Sequence, residues 1–269
     1  VLAKQVPDTR NVGKDAMKAD GTVNRAALPA IFNPEDLNAL ELALRVKDTV
    51  PGTTITILTM GPGRAAEIIR EGLYRGADNG VLLTDRAFAG SDTLATSYAL
   101  AQAIKEMGHF DLIVAGRQAI DGDTAQVGPQ VAEKLKLPQV TYVEEVLSIE
   151  KSAIVMRRRL ENGVETVKSP LPMLLTVNGS APDCRSRNVK MLMKFKHART
   201  ITEKQEATED YTHLYDNRPF LYIREMTVGD IKTDVDQLGL TGSPTKVKKI
   251  DNVVLQAKDA KKLNTADEG

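Results

Sequence analysis

The sequence predicts an α/β protein with a doubly wound, mostly parallel sheet of the Rossmann-like, adenine nucleotide-binding kind, a small β-meander and a C-terminal arm. Three observations predict this fold class. Short apolar or β-branched runs bounded by Gly, Pro or Asp alternate with helical stretches in the first half of the chain. From residue 139 the alternation gives way to closely spaced strands, and beyond about residue 181 the periodicity weakens.

The first four predicted strands have the composition of buried parallel strands, since they are short and mostly apolar or β-branched. They cover residues 1–6, 54–60, 80–83 and 111–115. The chain begins at Val-Leu-Ala without Met, and we expect a few residues of the first strand to precede it.

The first predicted helix begins at Asn33, which we expect to cap it, with Pro34 in the first turn. Glu35 and Asp36 follow near the positive end of the helix dipole, where acids are favourable. Apolar residues spaced for one helix face come next: Leu37, Leu40 and Leu44. Two more helices are predicted over residues 64–74 and 91–107.

The second half of the chain predicts a different organisation. Residues 139–177 form a β-meander that completes a nucleotide-binding α/β domain over residues 1–180. Residues 181–269 have few aromatic anchors, a basic stretch and polar runs, so they would not fold alone. We therefore expect an extended C-terminal arm that contacts a partner subunit.

Composition excludes several classes of function. The 36 basic and 36 acidic residues among 269 balance, so no global field draws the chain to nucleic acid or to an anionic membrane. No apolar run is long enough for membrane insertion and no secretory signal is visible, which predicts a cytoplasmic protein. One cysteine, Cys184, and three scattered histidines predict no disulfide and no metal site.

Residues 113–130 are the most informative segment, because an apolar strand there runs through a Gly-rich loop into a helix. This order is typical of a phosphate site, in which the first free N–H groups of the helix face the ligand. The backbone could approach a ligand at Gly116, Gly122 and Gly128. Thr124 and Gln126 offer neutral hydrogen bonds, and Pro129 fits the first turn of the helix.

Two acids in this loop oppose a bound phosphate. Asp121 and Asp123 would repel it, so we assign them to helix capping or to ribose hydroxyls. A plain capped loop without a ligand is the alternative, because glycine spacing alone is a weak motif.

Other loops should meet this one at the carboxyl ends of the strands, where ligands bind in doubly wound sheets. They are Asn33 to Asp36 and the Gly61-Pro62-Gly63 turn, although a bare strand-to-helix turn would look the same. Thr93 could also reach a ligand, with a simple helix cap as the alternative. No nucleophile with a partnering base is visible, so no catalytic residue is predicted, and redox chemistry would belong to a cofactor.

Several segments of the sequence match a known family in the same order along the chain. They are Val1-Leu-Ala-Lys-Gln-Val-Pro-Asp8, Asn33-Pro-Glu-Asp-Leu-Asn-Ala-Leu-Glu41, Gly61-Pro62, Gly76-Ala-Asp78 and Gly116-Arg-Gln-Ala-Ile-Asp-Gly-Asp-Thr-Ala-Gln-Val-Gly-Pro129. Together they resemble the electron transfer flavoprotein beta subunit. The resemblance covers residues 1 to about 180 well and the arm less well.

The resemblance implies an alpha subunit as partner and a flavin shared between the two chains. In the housekeeping branch the beta site holds AMP, and single electrons come from an acyl-CoA dehydrogenase. The loop sequence Asp121-Gly-Asp-Thr-Ala-Gln-Val-Gly128 instead resembles that of the electron-bifurcating branch, in which the beta subunit holds a second FAD. Gly122 and Ala125 stand where the housekeeping branch usually has an acid or Asn and a further Asn. The smaller, uncharged residues leave more space and less negative charge, which favours a pyrophosphate over a lone monophosphate.

In the bifurcating branch the subunit would be an NADH-oxidising or NAD-reducing flavoprotein chain. NAD(H) would be a transient substrate, and ferredoxin and a flavin-dependent dehydrogenase would be the electron partners. The resemblance carries the nucleotide contacts to Ala3, Asn33, Pro34, Glu35, Asp36, Gly61, Pro62, Gly63, Thr93, Gly116, Arg117, Gln118, Asp121, Gly122, Asp123, Thr124, Ala125, Gln126, Val127, Gly128, Pro129, Gln130 and Val131.

One segment departs from the family pattern. Residues 178–187 replace the loop that docks on acyl-CoA dehydrogenases, so we expect an atypical dehydrogenase partner. Arg185, Arg187 and the lysines that follow would form either a docking surface or a solvated basic face. A non-redox adenine-nucleotide sensor is the alternative from another class, because the same sheet could hold ATP or AMP without chemistry.

Overall fold

The computed structural model describes residues 1–8, 29–207 and 212–246. Its strands are β1 (Gln5–Pro7), β2 (Ala30–Phe32), β3 (Thr56–Met60), β4 (Asn79–Leu83), β5 (Leu112–Gly116), β6 (Gln139–Ile149), β7 (Ala153–Leu160), β8 (Gly163–Pro170), β9 (Met173–Val177) and β10 (Arg224–Met226). Its helices are α1 (Pro34–Thr49), α2 (Ala66–Arg75), α3 (Thr93–Met107), α4 (Val127–Leu135), α5 (Val189–Phe195), α6 (Ile201–Glu206) and α7 (Thr212–Asn217).

Residues 1–3 join the two halves of the main sheet. Leu2 forms parallel bridges with Leu58 of β3 on one side and with Ala115 of β5 on the other. The strand order is therefore β10-β4-β3, then residues 1–3, then β5-β9-β6-β7-β8. Strand order reverses between residues 1–3 and β5, which confirms the predicted doubly wound α/β class.

One predicted strand is divided. Only residues 1–3 run parallel in the main sheet, whereas Gln5–Pro7 pairs antiparallel with β2. The physical reason lies at Lys4, whose backbone N–H donates to the Asp36 carboxylate at 2.9 Å and not to a neighbouring strand. The parallel ladder ends there and leaves an opening at the carboxyl edge.

Helices cover both faces of the sheet. Side chains of α1 and α2 pack in one buried cluster, and those of α3 and α4 pack in the other. Ile57 and Leu58 of β3 belong to opposite clusters, because successive residues of a strand point to opposite faces. The parallel part of the sheet is buried between two helical layers, so a ligand reaches that part from the ends of its strands.

The β-meander predicted over residues 139–177 is present in its first three strands, whereas the last strand of that range belongs to the parallel sheet. β6, β7 and β8 are consecutive antiparallel strands, and β9 returns between β5 and β6, parallel to both. The return of β9 brings the loop that follows Val177 to the same edge as the loop that follows β5.

The described part of the C-terminal arm packs against this chain. Phe195, Tyr215, Leu221 and Ile223 are almost fully buried, and β10 adds a parallel strand to the edge of the sheet beside β4. Contact of the arm with a partner subunit stays a prediction. The rest of the arm, residues 208–211 and 247–269, lies outside the described residues.

The first two arginines of the basic stretch have partners within the chain. Arg185 donates to both carboxylate oxygens of the buried Glu41 and also pairs with Asp48. Burial would raise the pKa of Glu41, but the Arg185 hydrogen bonds outweigh it and hold that pKa below its usual value. Arg187 pairs with Glu71. Their charges are therefore balanced inside the chain, and a docking role for this stretch stays a prediction.

Candidate functional site

The predicted site residues cluster at the carboxyl edge where strand order reverses. Residues 1–3, β3 and β5 all end there, and the first turn of α1 lies across the opening. Doubly wound sheets bind ligands in this position. No helix of the described residues is long and apolar enough to cross a membrane.

The Asp36 carboxylate hydrogen-bonds to both chain segments that flank the point where strand order reverses. One of its oxygens accepts from Lys4 N at 2.9 Å, and the other accepts from Gly116 N at 3.1 Å. The side chain is buried, and burial raises the pKa of Asp36 to about 7, although its backbone donors oppose that shift. Asp36 therefore fixes the width of the opening and is less free to contact a ligand than we predicted.

Asn33 has a different role from the predicted one. It stands at the N-cap position of α1, but its side chain makes no capping hydrogen bond. Its amide donates to Gln118 O at 2.8 Å, and its oxygen accepts from Ile120 N at 3.1 Å. The cap prediction is wrong because the β5–α4 loop offers backbone partners to the same amide.

Glu35 holds the same loop through charge. Both of its oxygens accept from the Arg117 guanidinium, at 3.2 and 2.8 Å, and one also accepts from Gln118 N at 3.0 Å. The pKa of Arg117 is raised, first by its hydrogen bond to Glu35. Two-point Arg–carboxylate pairs fix the plane of the guanidinium. The first turn of α1 thus determines the shape of the β5–α4 loop.

The two loop acids have partners other than those we predicted. Asp121 accepts from Lys4 Nζ at 2.7 Å, and Asp123 accepts from the Gln118 side-chain amide at 2.8 Å. Neither caps α4, which begins after Gln126 without a side-chain cap. Both carboxylates accept hydrogen bonds from side chains outside α4, so the capping assignment is wrong. The ribose assignment stays a prediction.

The three glycines of the loop differ in what they permit. A Cβ on Gly116 would lie 2.4 Å from Asp36 Oδ1, and one on Gly128 would lie 2.7 Å from Thr176 Cγ2. A Cβ on Gly122 would meet nothing within 4 Å. Gly116 and Gly128 therefore serve close packing within the chain, whereas Gly122 borders open space.

The surface around Gly122 is open to solvent. Gly122, Asp123, Thr124 and Gln126 are exposed, and Asp123 and Ala125 adopt left-handed backbone angles with φ of 48° and 53°. Non-glycine residues adopt that region at a cost in free energy and are concentrated at functional sites. Pro129 lies in the first turn of α4, as predicted.

A cleft of about 220 Å³ lies on the other side of Asp121. Gly61, Pro62, Lys4 and Arg64 line it with Asp121, so the predicted turn after β3 does meet the β5–α4 loop. Gly63 instead begins a 3-10 turn that precedes α2.

Sequence reasoning missed Lys4 and Arg64. A basic residue placed directly after a buried strand, as Lys4 follows Ala3, was the available signal. Arg64 is exposed, and its guanidinium has no carboxylate partner within the described ranges.

The N-terminus of α3 also lies next to the β5–α4 loop. Asp92 caps α3 by accepting from Leu94 N and Ala95 N, so the simple-cap alternative holds for that position. Thr93 Oγ1 nevertheless donates to Gln126 Oε1 at 2.8 Å, and Ser97 donates to Gln130. The first turns of α3 and α4 are therefore adjacent.

Other predicted site residues face the core. Ala3 is buried, and its N–H donates to Leu58 O at 3.0 Å. Val131 is fully buried, so a ligand could reach only its backbone, and the partly buried Val127 packs against the same cluster. No group of three potential metal ligands occurs among the residues that the structure describes.

Comparison with known proteins identifies close relatives. Residues 20–208 match the electron transfer flavoprotein domain. The chain is 52% identical over 193 residues to the caffeyl-CoA reductase-Etf complex subunit CarD of Acetobacterium woodii, a match that covers 72% of each chain. It is 43% identical over 247 residues to the electron transfer flavoprotein subunit beta of Thermoanaerobacterium thermosaccharolyticum, covering 92% of this chain and 85% of the relative. It is 40% identical over 275 residues to the acryloyl-CoA reductase electron transfer subunit gamma of Anaerotignum propionicum, covering 98% and 94%.

Proposed function

The chain belongs to the electron transfer flavoprotein family, and from that membership we propose that it is the beta subunit of a bifurcating heterodimer. It binds FAD at the carboxyl edge of the sheet and pairs with an alpha subunit in the cytoplasm. Electrons pass between NAD(H), ferredoxin and a flavin-dependent dehydrogenase, in either direction.

The observation that carries this proposal is the charge balance of the open loop. Asp121 would repel a diphosphate, but Lys4 Nζ lies 2.7 Å from its carboxylate and offsets the charge. The exposed loop beyond it adds no charge at Gly122 or Thr124, whereas the Asp123 carboxylate accepts from the neutral Gln118 amide at 2.8 Å. Lys4 therefore offsets one of the two acidic charges, and the open space beside Gly122 is where a pyrophosphate would fit.

The residues present fit an adenine dinucleotide. The free N–H groups in the first turn of α4 and its dipole would face the phosphates, next to the hydrogen-bonded Thr93–Gln126 pair. Arg64 would supply a cation from the cleft. Bound FAD supplies the conversion between hydride transfer and single-electron transfer, while the protein binds, orients and shields it.

Two relatives support the choice of electron partner. Their names refer to caffeyl-CoA reductase and acryloyl-CoA reductase. We therefore propose a flavin-dependent enzyme that acts on a CoA thioester as the dehydrogenase. The departure of residues 178–187 from the family's docking loop is consistent with such a partner.

NADH-driven ferredoxin reduction tests the function directly. Mixed anaerobically with the complex, its dehydrogenase and ferredoxin, NADH should reduce ferredoxin only when the acceptor of the dehydrogenase is also present. The energetically uphill transfer to ferredoxin needs the downhill transfer to be coupled to it. Electron transfer to the dehydrogenase without any ferredoxin reduction would contradict bifurcation and leave a single-electron carrier with AMP in the beta site.

Two lysine variants connect this activity to the site. Lys4→Ala leaves Asp121 uncompensated beside the phosphates, and we expect roughly tenfold weaker nucleotide binding, equivalent to about 1.4 kcal/mol. Lys47→Ala is the matched control, because Lys47 also pairs with an aspartate, Asp78, but at the opposite end of α1. Equal loss of ferredoxin reduction in both variants would contradict the assigned site.

A further inference from the structure

Tyr142 has an unusual backbone conformation for its residue type. Its φ is +61°, in the left-handed region, although it lies inside strand β6. Bulky side chains are genuine outliers in this region, and such outliers persist only where the surrounding structure holds them. Lys136, with φ +55°, has an ordinary explanation because it ends α4, where left-handed residues are common.

A bulge in β6 produces this conformation. Val140 pairs with Leu175 and Val143 pairs with Val177, so three steps along β6 oppose two along β9. The N–H of Tyr142 turns to the hydroxyl of Thr176 at 3.4 Å instead of joining the ladder. Bulges of this kind redirect a side chain and are common next to active sites.

The bulge places Tyr142 at the edge already described. Val143 lies beside Val177, the last residue of β9, and the Val177 carbonyl accepts from Arg117 N at 2.9 Å. Arg117 and the bulge at Tyr142 therefore lie at the same end of β9.

No contact of the Tyr142 side chain with a described residue explains why a bulky residue occupies the bulge. The Tyr142 side chain is half-buried, its hydroxyl makes no hydrogen bond and its ring makes no aromatic contact with any described residue. Tyr215 differs, because its hydroxyl donates to His197 O and its ring lies 4.9 Å from that of Tyr222.

We propose that Tyr142 contacts the planar heteroaromatic ring of the bound nucleotide, next to the guanidinium of Arg117. Aromatic rings and Arg planes are the side chains on which such rings stack, and Glu35 already holds the Arg117 plane in place. This inference rests on the proposed nucleotide site and names a recognition residue for it. The ring is either the adenine or the isoalloxazine of FAD.

Two substitutions of Tyr142, made in the complex with the alpha subunit, distinguish the effect of the aromatic ring on binding from the effect of the backbone conformation. After the bound nucleotides are removed, the affinities for FAD and for AMP are measured by titration. Tyr142→Phe keeps the ring and should bind as the wild type does, whereas Tyr142→Gly should bind about tenfold more weakly. Weakening of both ligands identifies adenine as the stacked ring, and weakening of FAD alone identifies isoalloxazine. Wild-type affinity of Tyr142→Gly for both ligands would overturn the proposal.

Lys136→Gly is the matched control, since it relieves a left-handed φ away from the site. Both glycine variants should keep or raise the melting temperature of the nucleotide-free complex, and only Tyr142→Gly should lose affinity. A melting temperature of Tyr142→Gly below that of the wild type would indicate a structural role and overturn the proposal. If the wild-type beta site binds AMP and not FAD, the proposed function fails, but the AMP titration still tests Tyr142.

Discussion

Replacing Gly116 with alanine should destabilise the fold by about 3 kcal/mol, at the upper end of the usual cost of overpacking a buried position. The new Cβ would lie 2.4 Å from Asp36 Oδ1 and 2.7 Å from the carbonyl carbon of Glu35. The second contact is with backbone, so no side-chain rotation relieves it. The first turn of α1 must move away from β5, which breaks the Gly116–Asp36 hydrogen bond and disrupts the loop that Glu35 holds.

Urea unfolding followed by circular dichroism measures this effect. Gly122→Ala is the control in the same loop, because its Cβ would meet nothing within 4 Å and its φ is not left-handed. We expect its free energy of unfolding to change by less than about 0.5 kcal/mol. Equal unfolding midpoints for the two variants would contradict the close approach of α1 to β5.

Asp36 should make the stability of the fold depend on pH near neutrality. Burial raises the pKa of Asp36 in the folded state to about 7, above its usual value of 3.8. Between these values the folded state binds a proton that the unfolded state releases, so this contribution is complete below the unfolded pKa and is lost as the pH rises through 7. From about pH 5 to about pH 8 the expected loss is on the order of 3 kcal/mol.

Comparison with Asp36→Asn isolates this titration. The amide does not titrate, and other ionisable groups affect both proteins alike, so the difference in unfolding free energy should shrink or reverse as the pH rises. Parallel pH profiles for the two proteins would show that Asp36 is ionised throughout and would contradict the raised pKa.

The fold class and most strands were predictable because both follow from local patterns, although β2 and β10 were not predicted. The outer bounds predicted for the β-meander, residues 139 and 177, match the start of β6 and the end of β9, since apolar composition and turn residues define them. The end of the first parallel strand was not predictable. It depends on the Asp36 carboxylate, 32 residues along the chain, accepting from Lys4 N.

Within the site, the sequence located the loops better than the roles of individual residues. Local preference predicted that Asn33 caps α1, and it assigned Asp121 and Asp123 either to helix capping or to ribose hydroxyls. In the structure each of the three has a hydrogen-bond partner that does not belong to a helix, and the sequence alone does not reveal these partners. The bulge at Tyr142 depends on the register between β6 and β9, which composition does not determine.

The most direct test of the nucleotide site is the nucleotide content of the purified complex with its alpha subunit. The ligands are released by denaturation, separated and quantified as FAD and AMP. We expect two FAD for each heterodimer and no AMP, with one of the two FAD molecules held by this chain. One FAD with one AMP would contradict the bifurcating role, and the absence of any flavin would leave a nucleotide sensor.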